Sequence, residues 1–286
     1  MREPFELEWY GGISEKYFRR VRPGVDEMPW GTLEPSRYPP ELVERARVSW
    51  TEAAFNEYCT AVAFSDLLRS LLEVRAPIDL IGMASDFLAD EVLHVELTSR
   101  IAMELGGGAP YEVDFGALGL PTRPNESPLF HATESVVKLC CVGEAYSVAM
   151  LAGCMKRASH PLTKAVLEQI VRDEAPHGRF GFLYLDWVAD RLTDRDRTLL
   201  ATSALDSIAT YAPLWQRLRS KIHDGHTTEG FELAHIHELG WMESDAYART
   251  AVEAVENDVL IPLAERSIMI DRARLAPLLE TTYDSA

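Results

Sequence analysis

The chain has 286 residues and a formal net charge of −17, with ordinary apolar and charged fractions for a globular protein of one large or two small domains. That acidity excludes a partner built on a phosphate backbone, so no nucleic acid is expected. The four cysteines, Cys59, Cys140, Cys141 and Cys154, form no C-x-x-C pair, which excludes a zinc knuckle and a rubredoxin-type iron centre.

Residues 1–40 read as an irregular arm rich in proline and glycine, including Pro4, Gly11, Gly12, Pro23, Gly24, Pro39 and Pro40. Trp9, Tyr10, Phe18 and Trp30 give it apolar surface to bury, so it is expected to pack on the rest of the chain. The first residues lack the apolar core of a signal peptide. A first helix is expected from after Pro40 to about Val74, and a second from Ile78 to Leu105, stopped by Gly106-Gly107-Gly108. A long crossover comes next, through Pro110, Pro121 and Pro124. The third helix runs from Pro128, a good first-turn proline, to Arg157. Its uncharged run Leu139–Met155 contains Glu144 and is short for a membrane span, so no membrane association is expected. A short link leads to the fourth helix, Leu162 to Leu192. A fifth is expected from Asp194 to about Ile222, capped by Thr193 or Asp194. A loop with His223, His226, His235 and His237 covers 223–241, and a sixth helix runs from Glu243 to Arg266, interrupted near Pro262. The fold class is therefore all-α: a four-helix bundle over 41–192 with one long crossover, preceded by the arm and followed by a helical extension over 193–286. The cysteines sit in apolar helical contexts, as reduced, buried thiols of a cytoplasmic protein would.

Two copies of Asp-Glu-x-x-His stand out, Asp90-Glu91-Val92-Leu93-His94 and Asp173-Glu174-Ala175-Pro176-His177. Residues i and i+3 share a helix face, so Glu91 and His94 reach one point, as do Glu174 and His177. Each motif has a glutamate on its hairpin partner. Glu57 is the only charged residue between Glu52 and Asp66, and Glu144 the only one between Lys138 and Lys156. A carboxylate buried among apolar neighbours is costly unless paired or bound to metal. Two at matching places in two hairpins ask for a common cause. Glu52 is the rival to Glu57, but the two lie about 140° apart around the helix, and Glu52 is nearer the charged end. A third Glu-x-x-His, Glu232 to His235, lacks the preceding aspartate and a partner glutamate; it reads as a solvated loop, with a second metal site as the alternative. The bland reading of the main set is a helical surface or a buried polar network.

Over residues 41–192 this pattern resembles the ferritin-like di-iron carboxylate proteins, among them monooxygenase hydroxylases, ribonucleotide reductase small subunits and rubrerythrins. The resemblance implies Glu57 and Glu144 as ligands from the first and third helices, Glu91 and Glu174 as bridges between two metals, and His94 and His177 as one ligand each. Asp90 and Asp173 would stand behind the histidines and orient them. It implies two iron ions, with manganese or a mixed pair as the alternative. The expected activity is an oxidase or monooxygenase using O2 on a small-molecule substrate with an external electron donor, and a homodimer is compatible with it. A ferroxidase is the alternative, and a metal-free partner-binding bundle a third. Arylamine N-oxygenases of this fold carry a further histidine one turn before the second motif. Ile170 stands there, which argues against that activity. Pro176 lies inside the second motif and is expected to kink the helix or open a bulge.

Overall fold

Five helices lead the fold in the computed structural model, which describes residues 2–120, 123, 125–218 and 220–283. They are α1 (Gly12–Val21), α2 (Pro40–Glu73), α3 (Ile78–Glu104), α4 (Pro128–Arg157) and α5 (Pro161–Val188). Pro121 and Pro124 of the crossover lie outside the described residues, as do Arg219 and 284–286. Helix ends obey local chemistry. Prolines open α2, α4 and α5, where a missing N–H is harmless. The Ser127 hydroxyl accepts from the Phe130 N–H at 3.2 Å, and Gly106 takes φ +107° past the end of α3.

Side-chain pairs fix how the long helices run. Glu57 meets His94 and Phe64 meets Phe87, so α2 and α3 are antiparallel. His94 meets Asp173 and Phe87 meets Phe180, which sets α5 antiparallel to α3. Gly181 abuts Cys141 and Gly178 abuts Val148, which sets α4 antiparallel to α5. Helices α3 and α4 therefore point the same way, and the connection over 105–127 must return along roughly 40 Å of helix. This is the physical reason for its length. The core between the helices holds Phe64, Leu67, Leu71, Leu97, Ile101, Leu162, Phe180 and Tyr184, all under 2 % exposed. Burying each large apolar side chain contributes at most about 1.5–3 kcal/mol.

Several local expectations are corrected. The arm is not irregular throughout, because α1 forms in it and Glu3–Pro4 pairs antiparallel with Glu112–Val113 of the crossover. Phe18 and Trp30 are half-buried against the core, but Trp9 stays half exposed and Tyr10 almost fully so. Helix α5 stays α-helical through Pro176. Both Pro176 and Arg172 face solvent, so the carbonyl that the proline releases is left to water. The irregular turn lies instead on α4, where Val137–Glu144 is π-helical. A π turn inserts one residue and rotates the rest of the helix by about 100° relative to an unbroken α-helix.

The fifth predicted helix ends early: α6 (Asp194–Tyr211) stops before Pro213. Its cap is a Thr193–Asp196 capping box. The region 223–241 is more than a loop. Ile222–His223 and His226–Thr227 form a hairpin whose turn, Asp224 and Gly225, has φ +48° and +75°, as a type I′ turn demands. Helix α7 (Leu233–Glu238) comes after it. Helix α8 (Ser244–Ala254) runs through a second π turn, Val255–Leu260, into Ile261–Glu265, so Pro262 opens a last turn rather than breaking the helix. Helix α4 spans 30 residues and is apolar enough by length and composition to cross a membrane, contrary to the short run Leu139–Met155, but 61 % of its most apolar window is buried inside the protein. Cys140, Cys141 and Cys154 are buried and Cys59 half-buried; all four are free thiols.

Candidate metal centre

The i, i+3 spacing works as expected on α3 and α5. Glu91, His94, Glu174 and His177 all point into the space between the long helices and are 2 % exposed or less. Glu144 arrives from the end of the π turn on α4, 5 % exposed. Glu57 arrives from α2, with its side chain 15 % exposed. Glu52 faces solvent, so the choice between the two glutamates falls to Glu57.

These six residues form two overlapping groups able to hold a metal ion. One is Glu57, Glu91, His94 and Glu174; the other is Glu91, Glu144, Glu174 and His177. Within each group the ligand atoms lie within 4.8 Å of one another. The shared members are Glu91 and Glu174. The two oxygens of Glu174 divide their attention: Oε1 is 3.0 Å from His94 Nδ1, and Oε2 is 3.0 Å from His177 Nδ1. His177 Nδ1 is also 3.2 Å from Glu91 Oε1 and 3.8 Å from Glu144 Oε2. His94 Nδ1 is 3.9 Å from Glu57 Oε2. Both histidines thus turn Nδ1 toward the carboxylates.

Close approach has not produced hydrogen bonds. Both oxygens of Glu91, Oε2 of Glu174, Nδ1 of His94 and both ring nitrogens of His177 are buried without a hydrogen-bond partner. Orphaned buried polar atoms of this kind are rare and call for an explanation. Here their lone pairs converge on common points instead of pairing, which is the arrangement a cation would satisfy. The electrostatics agree. Burial and the neighbouring Glu174 charge push the Glu144 carboxyl up to about 8. Burial also raises Glu57 and Glu91. Burial opposes charge on His94 and His177, yet the surrounding carboxylates hold both above the ordinary imidazole range. Burial likewise opposes charge on Glu174, but its contacts with His177 and His94 keep it below the usual carboxylate range.

The two aspartates sit behind the histidines in crossed fashion. Asp173 Oδ2 lies 3.4 Å from Nε2 of His94, and Asp90 Oδ2 lies 3.5 Å from Nε2 of His177. Each motif's aspartate therefore serves the other motif's histidine. Gln169 donates to both oxygens of Asp173 at 2.9 and 2.7 Å. Arg22, from the end of α1, reaches Asp90 at 2.8 Å. Sequence reasoning missed Arg22, since no spacing rule ties the arm to α3.

It also missed a pair of glycines. A Cβ on Gly181 would stand 2.5 Å from Cys141 Sγ and 2.9 Å from its backbone N, and one on Gly178 would touch Val148 and Ala145. Two glycines three apart inside a helix, directly after His177, were the available signal. They let α5 seat against the π turn that carries Glu144. On the other side of the π turn, a Cβ on Gly143 would meet the Tyr211 hydroxyl at 3.0 Å. Phe87 and Phe64 lie against the His177 ring at 4.1 and 5.4 Å between centroids, with Phe180 against Phe87. Ile170 is fully buried.

Among the described residues no further group of three or more ligating side chains meets the same test. Glu232 and His235 are 3.7 Å apart, and His235 packs on the Tyr38 ring. Three surface cavities of about 540, 370 and 380 Å³ border none of the six central residues. The sequence matches no protein-family model, and comparison with curated proteins finds no significant match. The functional reading rests on geometry.

Proposed function

We propose that this chain is a ferritin-like di-iron carboxylate protein that uses dioxygen to oxidise a small organic substrate. The observation that carries the reading is the overlap of the two candidate groups through Glu91 and Glu174, with a different Glu174 oxygen aimed at each histidine. The donor set of four carboxylates and two neutral imidazoles suits iron or manganese. Four negative charges balance two divalent ions, and the orphaned buried atoms gain partners when the ions bind. The order of hairpin, long crossover and hairpin matches the ferritin-like topology.

Two iron ions held there would supply the reducing power that activates dioxygen. The protein's own contribution is positional. Glu57 and Glu144 close the two ends, Glu91 and Glu174 span the middle, and His94 and His177 each offer Nδ1 while Asp173 and Asp90 hold the opposite ring edge. Phe64, Phe87 and Phe180 keep water from the His177 side. An external electron donor would be the partner for a monooxygenase reaction of this kind.

Metal content after anaerobic loading with Fe(II) tests the reading. About two ions per chain are expected in the parent protein, with nearly none in Glu174→Ala, which removes one of the two residues both groups share. Oxygen uptake by the loaded protein should then depend on an added organic substrate. No tightly held metal in the parent would remove the proposal. One observation favours a second reading, iron oxidation without an organic substrate: the cluster is enclosed and borders none of the three cavities. Repeated turnover of excess Fe(II) with no organic substrate would select it.

A further inference from the structure

We infer that Arg22 is a positioning residue for the His177 side of the centre, so that the N-terminal arm completes the metal site. The inference rests on the dimetal reading and extends it to a part of the chain outside the four long helices. For Nδ1 of His177 to bind a metal, the ring proton must sit on Nε2 and be held there. Asp90 is the group facing Nε2, at 3.5 Å, close enough to take that proton once the ring is drawn in by a metal but not yet a hydrogen bond in the metal-free fold. A carboxylate that rotates freely restrains a ring poorly. Arg22 removes that freedom with a 2.8 Å ion pair to the other oxygen, Oδ1.

The pair is well placed to matter. The Asp90 and Arg22 side chains are 13 % and 19 % exposed, unlike a solvated surface pair. The second contact of Arg22, to Asp86 at 3.4 Å, involves a carboxylate 72 % exposed and adds little. The guanidinium is also steadied by a bond from Nη1 to the Val21 carbonyl at 3.2 Å, while its Nε is buried without a partner. The chain aims it. Arg22 caps α1 with φ −130° and ψ 70°, its N–H bonded to Phe18 O. Pro23 comes next, restricting that conformation, and Gly24 turns the chain away at φ +91°. A separate anchor holds α1 on α3: Arg19 pairs with the buried Glu96, which Arg100 also meets. The two sides of the centre are thus unequal. Asp90 is held by a cation from the arm, whereas Asp173 is held by the neutral Gln169 of its own helix.

Titration with Co(II), whose visible absorption reports its ligands, tests this on the full chain. Losing a direct partner of a metal-bound histidine weakens binding about 10- to 100-fold, and a residue acting through that partner should fall near the lower end. Arg22→Met should therefore weaken one of two Co(II) ions about tenfold and leave the other unchanged. Arg22→Lys should restore part of the loss. Arg19→Met, which cuts the other anchor, should bind both ions as the parent does. Asp90→Asn provides a second route if Arg22→Met does not fold, and should weaken the same ion. Parental binding by Arg22→Met, or an equal loss in Arg19→Met, overturns the inference and leaves the dimetal reading standing. A parent that binds no Co(II) overturns the dimetal reading, and the inference with it.

Discussion

Helix α4 carries two buried glutamates with opposite surroundings. Glu134 is 2 % exposed, and one of its oxygens accepts from Arg123 at 2.5 Å and Ser203 at 2.6 Å, with Lys138 at 3.2 Å. Glu144 is 5 % exposed and faces Glu174, Glu91 and His177. Burial raises both carboxyls. Around Glu134 the serine, arginine and lysine outweigh it and hold the group below the usual range. Around Glu144 the neighbouring carboxylate adds to it, and the group rises to about 8. A buried carboxylate whose cations come from the same chain is a fastening. One whose neighbours are carboxylates needs its cation from outside.

Replacing each by glutamine puts that contrast to the test. Glu144→Gln should weaken metal on the His177 side by more than about 100-fold, beyond what loss of an outer partner does, as measured by equilibrium dialysis. The same change should leave the metal-free protein about as stable as the parent near neutral pH, because a carboxyl raised to about 8 is already largely protonated there and the amide is likewise neutral. A large loss of metal-free stability would mean that Glu144 is a fastening too, and the contrast would collapse.

Glu134→Gln should do the reverse on a smaller scale. Arg123 and Lys138 are 36 % and 23 % exposed, so water takes over part of their solvation. The expected loss is about 1–3 kcal/mol, or a fall in Tm of roughly 2–8 °C, with metal binding unchanged. Weaker metal binding in Glu134→Gln without a matching fall in Tm would break the comparison from the other side.

Sequence reasoning could see this contrast only in part. The six central residues were legible because i, i+3 spacing and lone charges in apolar runs are local facts. The helix ends at Pro40, Gly106 and Pro128 were legible for the same reason. The all-α class came from them. What stayed hidden is tertiary. Nothing local marks the π turn at 137–144, against which Gly181 lets α5 pack close to Cys141. Arg22 finds Asp90 only once the arm folds over α3. The crossed service of Asp90 and Asp173 needs both hairpins in place. At Pro176 the helix opens no bulge, because the carbonyl freed at the exposed Arg172 lies on the side that faces water. Asp224-Gly225 was in view as a hairpin signal and was masked by the histidines around it.

The pH dependence of stability is the smallest effect and separates the two glutamates by slope. Glu144 titrates near 8 in the folded chain and at about 4.5 unfolded. Between those values the folded state keeps a proton that the unfolded state has released. Stability of the metal-free protein must then fall as pH rises through that window. Glu57 and Glu91, also raised, act in the same direction. So do His94 and His177: their contribution is complete below about 6.5 and is lost as pH rises through their raised folded values. Glu134, Glu174 and Asp173 are lowered, and their contribution is lost only as pH falls below about 4.5. Metal ions take the place of those protons, so the rise in Tm on adding metal should grow as pH rises from about 5.5 to about 8. Thermal melts with and without Co(II) measure both trends. Glu144→Gln should flatten the metal-free slope and Glu134→Gln should leave it alone. A metal-free Tm that climbs across this window would show that the central carboxylates are already neutralised within the fold, as Glu134 is.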